Sequence, residues 1–363
     1  MKYFVQYVRN LHIEGGGILA GRRTRIADIA DRLGVSTATV SRAISGKGYV
    51  RADLAEKIRS MALEMNYGLP DSQAGRRVLL AASNDAMLDF QRAQFTTHVL
   101  DGLRDRAAAL GIEIEQHRID PAGRLDEIAD TLAEADVLGT LLLTVDDALL
   151  DAAHSLPGPV VLVNSDDPDM RLSSVTPCNR SAAALAAKHL TGLGHERILF
   201  LTKPGRRTIQ RRLEGLRDVL GARFDPGLVV EAEDWTVEAA EAALGRALAD
   251  GLSFTAVLAA GDVLAAGALM GLHAAGLDVP DDVSLIGIDG LPQGEYLSPA
   301  LTTVTIPMRA VGAFSLDLLV NAAKLAGTMI ELPASRIELA CSLTERASTA
   351  AARSRTGPGS AVR

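Results

Sequence analysis

Aromatic residues are scarce in this chain: Phe, Trp and Tyr make up 4% of its 363 residues, with a single tryptophan. Its cores must therefore be built mostly from Ala, Leu, Val and Ile. Cysteine is nearly absent. Cys178 and Cys341 are the only two, too few for a disulfide framework and without the spacing of a metal site. Both are expected to be small buried residues in a reducing compartment. No apolar run reaches the length of about 20 residues that spans a bilayer. The opening stretch MKYFVQYVRNLHIEGGGILAG lacks the charged-then-apolar layout of a signal peptide. A cytoplasmic protein with no membrane partner is the expectation. No P-loop, no Gly-x-Ser-x-Gly, no Gly-x-Gly-x-x-Gly and no metal-spaced histidine cluster occurs. Neither an enzyme nor a cofactor or metal site is expected, and His195 is read as structural.

What is present is an uneven charge. Residues 1–77 carry 13 Lys and Arg against seven Asp and Glu, whereas the remainder carries 24 against 38. A basic end on an acidic body suggests a nucleic-acid-binding head, the alternative being an ordinary solvated face. Residues 1–23 show no clear period and contain Gly15, Gly16 and Gly17, so they read as a flexible arm. From Arg25 to Tyr67 the pattern is helical. Ile26, Ile29, Ala30 and Leu33 form one apolar stripe, Val40 and Ile44 a second, and Leu54, Ile58, Met61 and Met65 a third.

From Val78 onward short apolar runs alternate with amphipathic segments. The strand candidates are VLLAAS, IEIEQH, VLGTLLL, PVVLVN, RILFLT, GLVVEAE, TAVLAAG and VSLIGID. Helical segments lie between them at 94–110, 180–193, 208–221, 236–250 and 262–275. Such alternation builds parallel sheets covered by helices. The repeats exceed one doubly wound unit, so two α/β lobes with a cleft between them are expected. The fold class is thus α/β, an all-α head followed by a two-lobed core. The small, polar end ASTAAARSRTGPGSAVR, residues 347–363, reads as a disordered tail.

Within the head, IADIADRLGVSTATVSRAISG (26–46) has the layout of a helix-turn-helix. Gly34 suits the left-handed turn, and Ser36 suits the N-cap of the second helix. With Val40 and Ile44 turned inward, Thr37, Ala38, Ser41 and Arg42 turn outward. Short hydroxyls can meet phosphates or bases, Ala38 a thymine methyl, and Arg42 can fork onto guanine. Ser36, Ser41, Arg25 and Lys47 suit phosphate contact. The alternative is a three-helix packing unit that touches no DNA.

RIADIADRLGVSTATVSRAISGKGYVRADLAEKIRSMALEMNYG closely resembles the DNA-binding domain of the lactose/galactose repressor (LacI/GalR) family, above all in GVSTATVSRAISG. Further blocks agree in the family's order: LGHERILFLT (193–202), RRLEGLRDVL (211–220), VPDDVSLIGIDG (279–290) and SPALTTVTIP (298–307). The resemblance implies a homodimeric, ligand-regulated transcription factor with a periplasmic-binding-protein-like core. It assigns residues 24–67 to the helix-turn-helix domain, 68–77 to a hinge and 78–346 to the core. Lobe 1 would hold about 78–175 and 305–330, and lobe 2 about 176–304 and 331–346.

The chain departs from the family pattern after the third helix. Members have Tyr-x-Pro-Asn and then a hinge helix whose Leu wedges into the minor groove. Here the chain reads NYGLPDSQAGRRVLL (66–80), with an added residue before Pro70, Asp71 for Asn, and Arg77 in place of the Leu. Gly75 costs a helix about 1 kcal/mol relative to Ala, and a charged Arg is no apolar wedge. Arg76 and Arg77 are expected either to contact phosphates or to belong to a polar linker. Ser45 replaces a usual Asn.

Ligands of open α/β lobes bind beyond the C-terminal ends of strands. Arg206, Thr208 and Arg212 follow RILFLT, and the last two share a helix face. The resemblance makes them effector contacts. It likewise makes Asp289 a ligand-binding carboxylate, able to accept two hydrogen bonds, and Trp235 a stacking aromatic. Phe95 would cover the other face, with Ser83 and Asn164 at first-lobe strand ends. Without the resemblance, the arginines read equally as a solvated helix face and the aromatics as core. AAGD (259–262) replaces the family's frequent AxND, leaving Asp262 but removing an amide at Gly261. The nearby arginines make a sugar acid or phosphosugar a candidate effector beside neutral sugars.

The function expected is sequence-specific regulation of transcription, as a repressor on a palindromic double-stranded operator, under control of a small sugar-class effector held between the lobes. The alternative is a solute-binding protein of a transport system.

Overall fold

The computed structural model describes residues 25–45, 49–65, 73–83, 90–119, 125–145, 147–326 and 333–353. The expected arm at 1–23, Lys47, most of the expected hinge and residues 354–363 lie outside them. The chain divides into two compact units, Met1–Ala74 and Gly75–Arg363.

Among the described residues, the first unit holds α1 (Ile26–Leu33), α2 (Thr37–Ser45) and α3 (Ala52–Glu64). Its core is Ile29, Ala30, Val40, Ala43, Ala55, Ile58 and Ala62, all buried. Small Ala at four of these positions lets the three helices approach closely. Gly34 ends α1 at φ 65°, a left-handed conformation that glycine adopts without steric cost.

The second unit runs β1 (Arg77–Ser83), α4 (Phe90–Leu110), β2 (Glu113–Ile119), α5 (Asp126–Leu132), β3 (Val137–Leu143), α6 (Asp147–Ala153), β4 (Val160–Val163) and β5 (Ser173–Pro177). It continues with α7 (Asn179–Gly192), β6 (Ile198–Thr202), α8 (Arg207–Leu220), β7 (Val229–Glu231), α9 (Val237–Ala249), β8 (Ala256–Ala259), α10 (Asp262–Ala274) and β9 (Ser284–Asp289). The last elements are β10 (Thr302–Thr305), α11 (Met308–Leu325), β11 (Arg336–Leu339) and β12 (Ser342–Thr344).

Two six-stranded sheets result, in the orders β11-β5-β4-β3-β1-β2 and β12-β10-β9-β8-β6-β7. All pairings are parallel except β10 with β12. The central strands are buried along nearly their whole length, as parallel strands covered on both faces must be. All eight apolar runs picked from the sequence are strands. Each sheet is the centre of a lobe, and the chain crosses between lobes after β5, after β10 and between β11 and β12.

Helix α11 packs on α4 at close range through Gly102 and Gly312. A Cβ on either would collide with the carbonyl of Arg309 or of Val99 respectively. Because α11 belongs to lobe 1, its close seating holds the second crossing in place.

Two expected boundaries are corrected. Residues 336–339 do not belong to lobe 2, because Arg336 to Leu339 pair in parallel with Ser174 to Pro177 of lobe 1. The tail does not begin at 347. Ser348 is buried, donates to the Leu285 carbonyl at 2.6 Å and accepts the Thr302 amide at 2.8 Å. His195, also buried, bonds the Ala350 carbonyl at 3.0 Å. The segment through residue 353 is thus a structural part of lobe 2, and His195 pins it. Cys178 and Cys341 are half-buried rather than core residues, and Cys178 Sγ meets Ser181 Oγ at 3.0 Å.

Candidate nucleic-acid interface and ligand cavity

In the first unit, Ser36 caps α2 by accepting the Thr39 amide on its hydroxyl at 3.1 Å. Its Oγ also lies 2.8 Å from Thr39 Oγ1. Val40 and Ala43 are buried, while Thr37, Ala38, Ser41 and Arg42 are exposed. One face of α2 is thus free and carries two hydroxyls, a methyl and a guanidinium. Arg42 rests its Nε on the Ala38 carbonyl at 3.2 Å, which keeps its terminal nitrogens on that face. Arg25 precedes α1, its amide bonded to Asp28 Oδ2 at 2.7 Å, and its side chain is exposed.

Arg77 is corrected as a DNA contact. It opens β1, and its guanidinium is committed to Asp136 at 2.7 Å, Glu115 at 2.5 Å and Glu134. These hydrogen bonds hold the Asp136 and Glu115 carboxyls below their ordinary range. A cation surrounded by three carboxylates has little attraction left for phosphate. Arg76 Nε donates to the Asp136 carbonyl at 2.9 Å. Residues 73–75 form a turn with Gly75 at φ 79°, so no hinge helix runs through them.

In the second unit a cavity partly open to solvent, about 700 Å³ with its open part counted, lies between the lobes. Phe95, Asn164, Arg206, Thr208, Arg212, Trp235 and Asp289 all line it. Thr96 and Thr144, which no motif marks, line it too. Three of its residues have positive φ without being glycine: Thr144 at 53°, Asn164 at 54° and Asp289 at 147°. Such conformations are costly, above all for a β-branched residue, and gather at ligand sites. The strand ends are bent so that these polar groups face the cavity. Ser83 ends β1, but its side chain lies outside the described residues.

Arg212 is almost fully buried. Its Nε donates to Asn179 Oδ1 at 2.8 Å and its Nη1 to the Ala260 carbonyl. Both Nη atoms stand 3.4 Å from Asp289 Oδ1. Asn179, which sequence reasoning missed, orients that guanidinium. Burial raises the Asp289 carboxyl above its ordinary range, and Arg212 opposes the rise. Arg206 sits over the Trp235 ring, 5.8 Å from its centroid, a cation–π distance. Asn164 Oδ1 is buried with no hydrogen-bond partner, an acceptor left for a ligand.

Asp262 is corrected as an effector contact, because it does not line the cavity. Its carboxyl accepts the Thr303 hydroxyl at 2.6 Å and the Leu291 amide at 2.8 Å. It fixes the chain just after Asp289. Burial, and then the nearby Asp289 charge, push its carboxyl up to about 7. A Cβ on Gly261 would lie 3.0 Å from the Trp235 ring and 3.1 Å from Asp289 Oδ2, so that glycine lets the ring settle beside the carboxylate. Among the described residues no group of acidic, His or Cys side chains could hold a metal ion. Among the same residues, no helix is long and apolar enough to cross a membrane.

A helix-turn-helix head on a two-lobed binding core defines a ligand-responsive class of DNA-binding transcriptional regulator. Comparisons with known proteins agree. A model of bacterial regulatory proteins, lacI family, matches residues 25–69, and a periplasmic binding protein-like domain matches 187–349. The HTH-type transcriptional regulator reg1 of Streptomyces lividans is 30% identical over 345 residues, covering 91% of this chain and 97% of the relative. The regulator MalR of Streptomyces coelicolor is 29% identical over 351 residues, with the same coverage. Among solved structures, a complex of the regulator CelR with cellobiose is 26% identical, with a TM-score of 0.65, covering 90% of this chain and all of that one. The lac repressor dimer bound to operator, at 24% identity and TM-score 0.66, shares the fold over 91% of this chain and all of that one. The chain belongs to the lacI family and is a sequence-specific DNA-binding transcriptional regulator.

Proposed function

We propose that the protein is a cytoplasmic homodimeric repressor, without enzymatic activity, whose hold on a palindromic operator is set by a small polyhydroxylated ligand in the interlobe cavity. Thr37, Ala38 and Arg42 read bases, and Ser41 and Arg25 meet phosphates; two-fold symmetry of the dimer gives the palindrome. Ser36 has its hydroxyl in the cap, so its part is to set the helix rather than to bind phosphate. Relatives support the ligand class: CelR was solved with cellobiose, and a ribose operon repressor from Halalkalibacterium halodurans is 28% identical over 305 residues.

The observation that carries the ligand reading is the donor–acceptor set around the cavity. Asp289 and Asn164 Oδ1 accept, Arg212 donates, and Thr208, Thr144 and Thr96 do both, between the rings of Trp235 and Phe95. Vicinal hydroxyls on a flat ring match that set. Arg212 is already paired with Asp289 and Arg206 lies over Trp235, which favours a neutral sugar over a sugar acid or phosphosugar. Calorimetry of the purified protein against neutral and acidic sugars tests this. Saturable binding of a neutral sugar is expected, and binding confined to acidic sugars overturns the neutral reading.

A further inference from the structure

Beside the cavity stands a charged cluster that touches no ligand position. Asp166, on the loop after β4 in lobe 1, has a side chain only 2% exposed. Its Oδ2 accepts from Arg211 of α8 in lobe 2, at 2.8 Å from Nε and 2.5 Å from Nη2. Arg207, one turn earlier on α8, approaches Oδ1 at 3.9 Å. Arg336 of β11, in the same lobe as Asp166, stands 3.3 Å from Oδ2 and donates to the Asp167 carbonyl at 2.6 Å.

We propose that the Asp166–Arg211 pair is an interlobe latch that positions the N-terminal turn of α8, and with it Thr208 and Arg212, against lobe 1. The two residues are positioning residues: neither lines the cavity, but each neighbours one that does. Asn164 of the cavity and Asp166 of the latch are two apart on one loop. Arg207 and Arg211 alternate along α8 with Thr208 and Arg212. One loop therefore meets one helix twice, once through the latch and once across the ligand space. Anything that draws Asn164 toward Thr208 also brings Asp166 to Arg211, so latch and ligand favour the same lobe arrangement.

The cluster is built to release. A buried carboxylate that lost its sole partner would carry a heavy penalty. Asp166 keeps Arg336 within its own lobe, so it stays paired when the lobes part, while Arg207 and Arg211 move toward water. Glu214, on α8 itself, also faces Arg211, so that guanidinium keeps an acidic neighbour when the lobes part, while Glu338 of β11 stays with lobe 1. Asp166 Oδ2 thus keeps a cationic partner in either arrangement, while Oδ1 is buried without a hydrogen-bond partner.

The test needs no ligand, so its outcome is independent of the sugar reading. Trp235 is the only tryptophan and lines the cavity, so its acrylamide quenching reports the cleft. Arg211→Gln in the full-length protein is expected to raise the Stern–Volmer constant at least about twofold over wild type, a shift of population toward the parted state. Arg211→Lys, which keeps the charge, should stay near wild type. Should Arg211→Gln not fold, Arg211→Met, which keeps an unbranched stem without the charge, is expected to show the same rise. Quenching unchanged by Arg211→Gln, or by Arg211→Met where Arg211→Gln does not fold, overturns the latch.

Discussion

Asp262 shows how far one residue's role depends on its surroundings. Next to a cavity of sugar-like chemistry it reads as a ligand contact, yet its carboxyl is spent on Thr303 and Leu291. Its consequence is for stability. The folded state holds its proton up to about 7, whereas an unfolded Asp loses it near 3.9. The stabilisation from the protonated form is therefore complete below about pH 4 and is lost as pH rises toward 7, at up to about 1.4 kcal/mol per pH unit. Urea midpoints of wild type between pH 5 and 7.5 should fall more steeply than those of Asp262→Asn, and parallel profiles would contradict the assignment. Arg212 carries the opposite kind of burden. Arg212→Ala removes the cation beside the half-buried Asp289 and the donor to Asn179 and the Ala260 carbonyl, and is expected to cost about 1–3 kcal/mol, read by denaturant unfolding, together with loss of sugar binding by calorimetry. The family resemblance made Arg212 and Asp289 legible in the sequence. Asn179 and Asp166 were not, because their roles arise from contacts 33 and 45 residues away along the chain.

At the scale of elements, the strands that announce themselves as apolar runs are those buried on both faces. Strands β5, β10, β11 and β12 escaped the pattern because SSVTP, TTVT, RIEL and SLT are short and rich in Ser, Thr and charge. They lie where the chain passes between lobes, and tertiary pairing rather than periodicity makes them strands. Helix α2 is the contrary case, since Gly34, Ser36 and the inward Val40 fix its start and its free face locally, although Ala43 rather than the expected Ile44 is the second fully buried residue. Ser36→Ala removes the cap of α2 and is expected to cost the head about 1 kcal/mol. A thermal melt followed on the first unit's helices checks it, and an unchanged midpoint would contradict the capping role.

At the scale of the whole molecule, an acidic chain of net charge −8 binds a polyanion only through a local surface, and the exposed face of α2 is that surface in this reading. Phosphate contacts give salt-dependent affinity, and base contacts give selectivity. The most direct measurement is retention of duplex fragments from the protein's own chromosome across a salt series, for wild type and Arg42→Ala. Wild type is expected to hold a small subset of fragments, more weakly as salt rises. Arg42→Ala is expected to lose about 1–3 kcal/mol on that subset together with its selectivity. Retention by wild type without preference among fragments, or a variant that selects the same fragments with undiminished strength, would contradict the account.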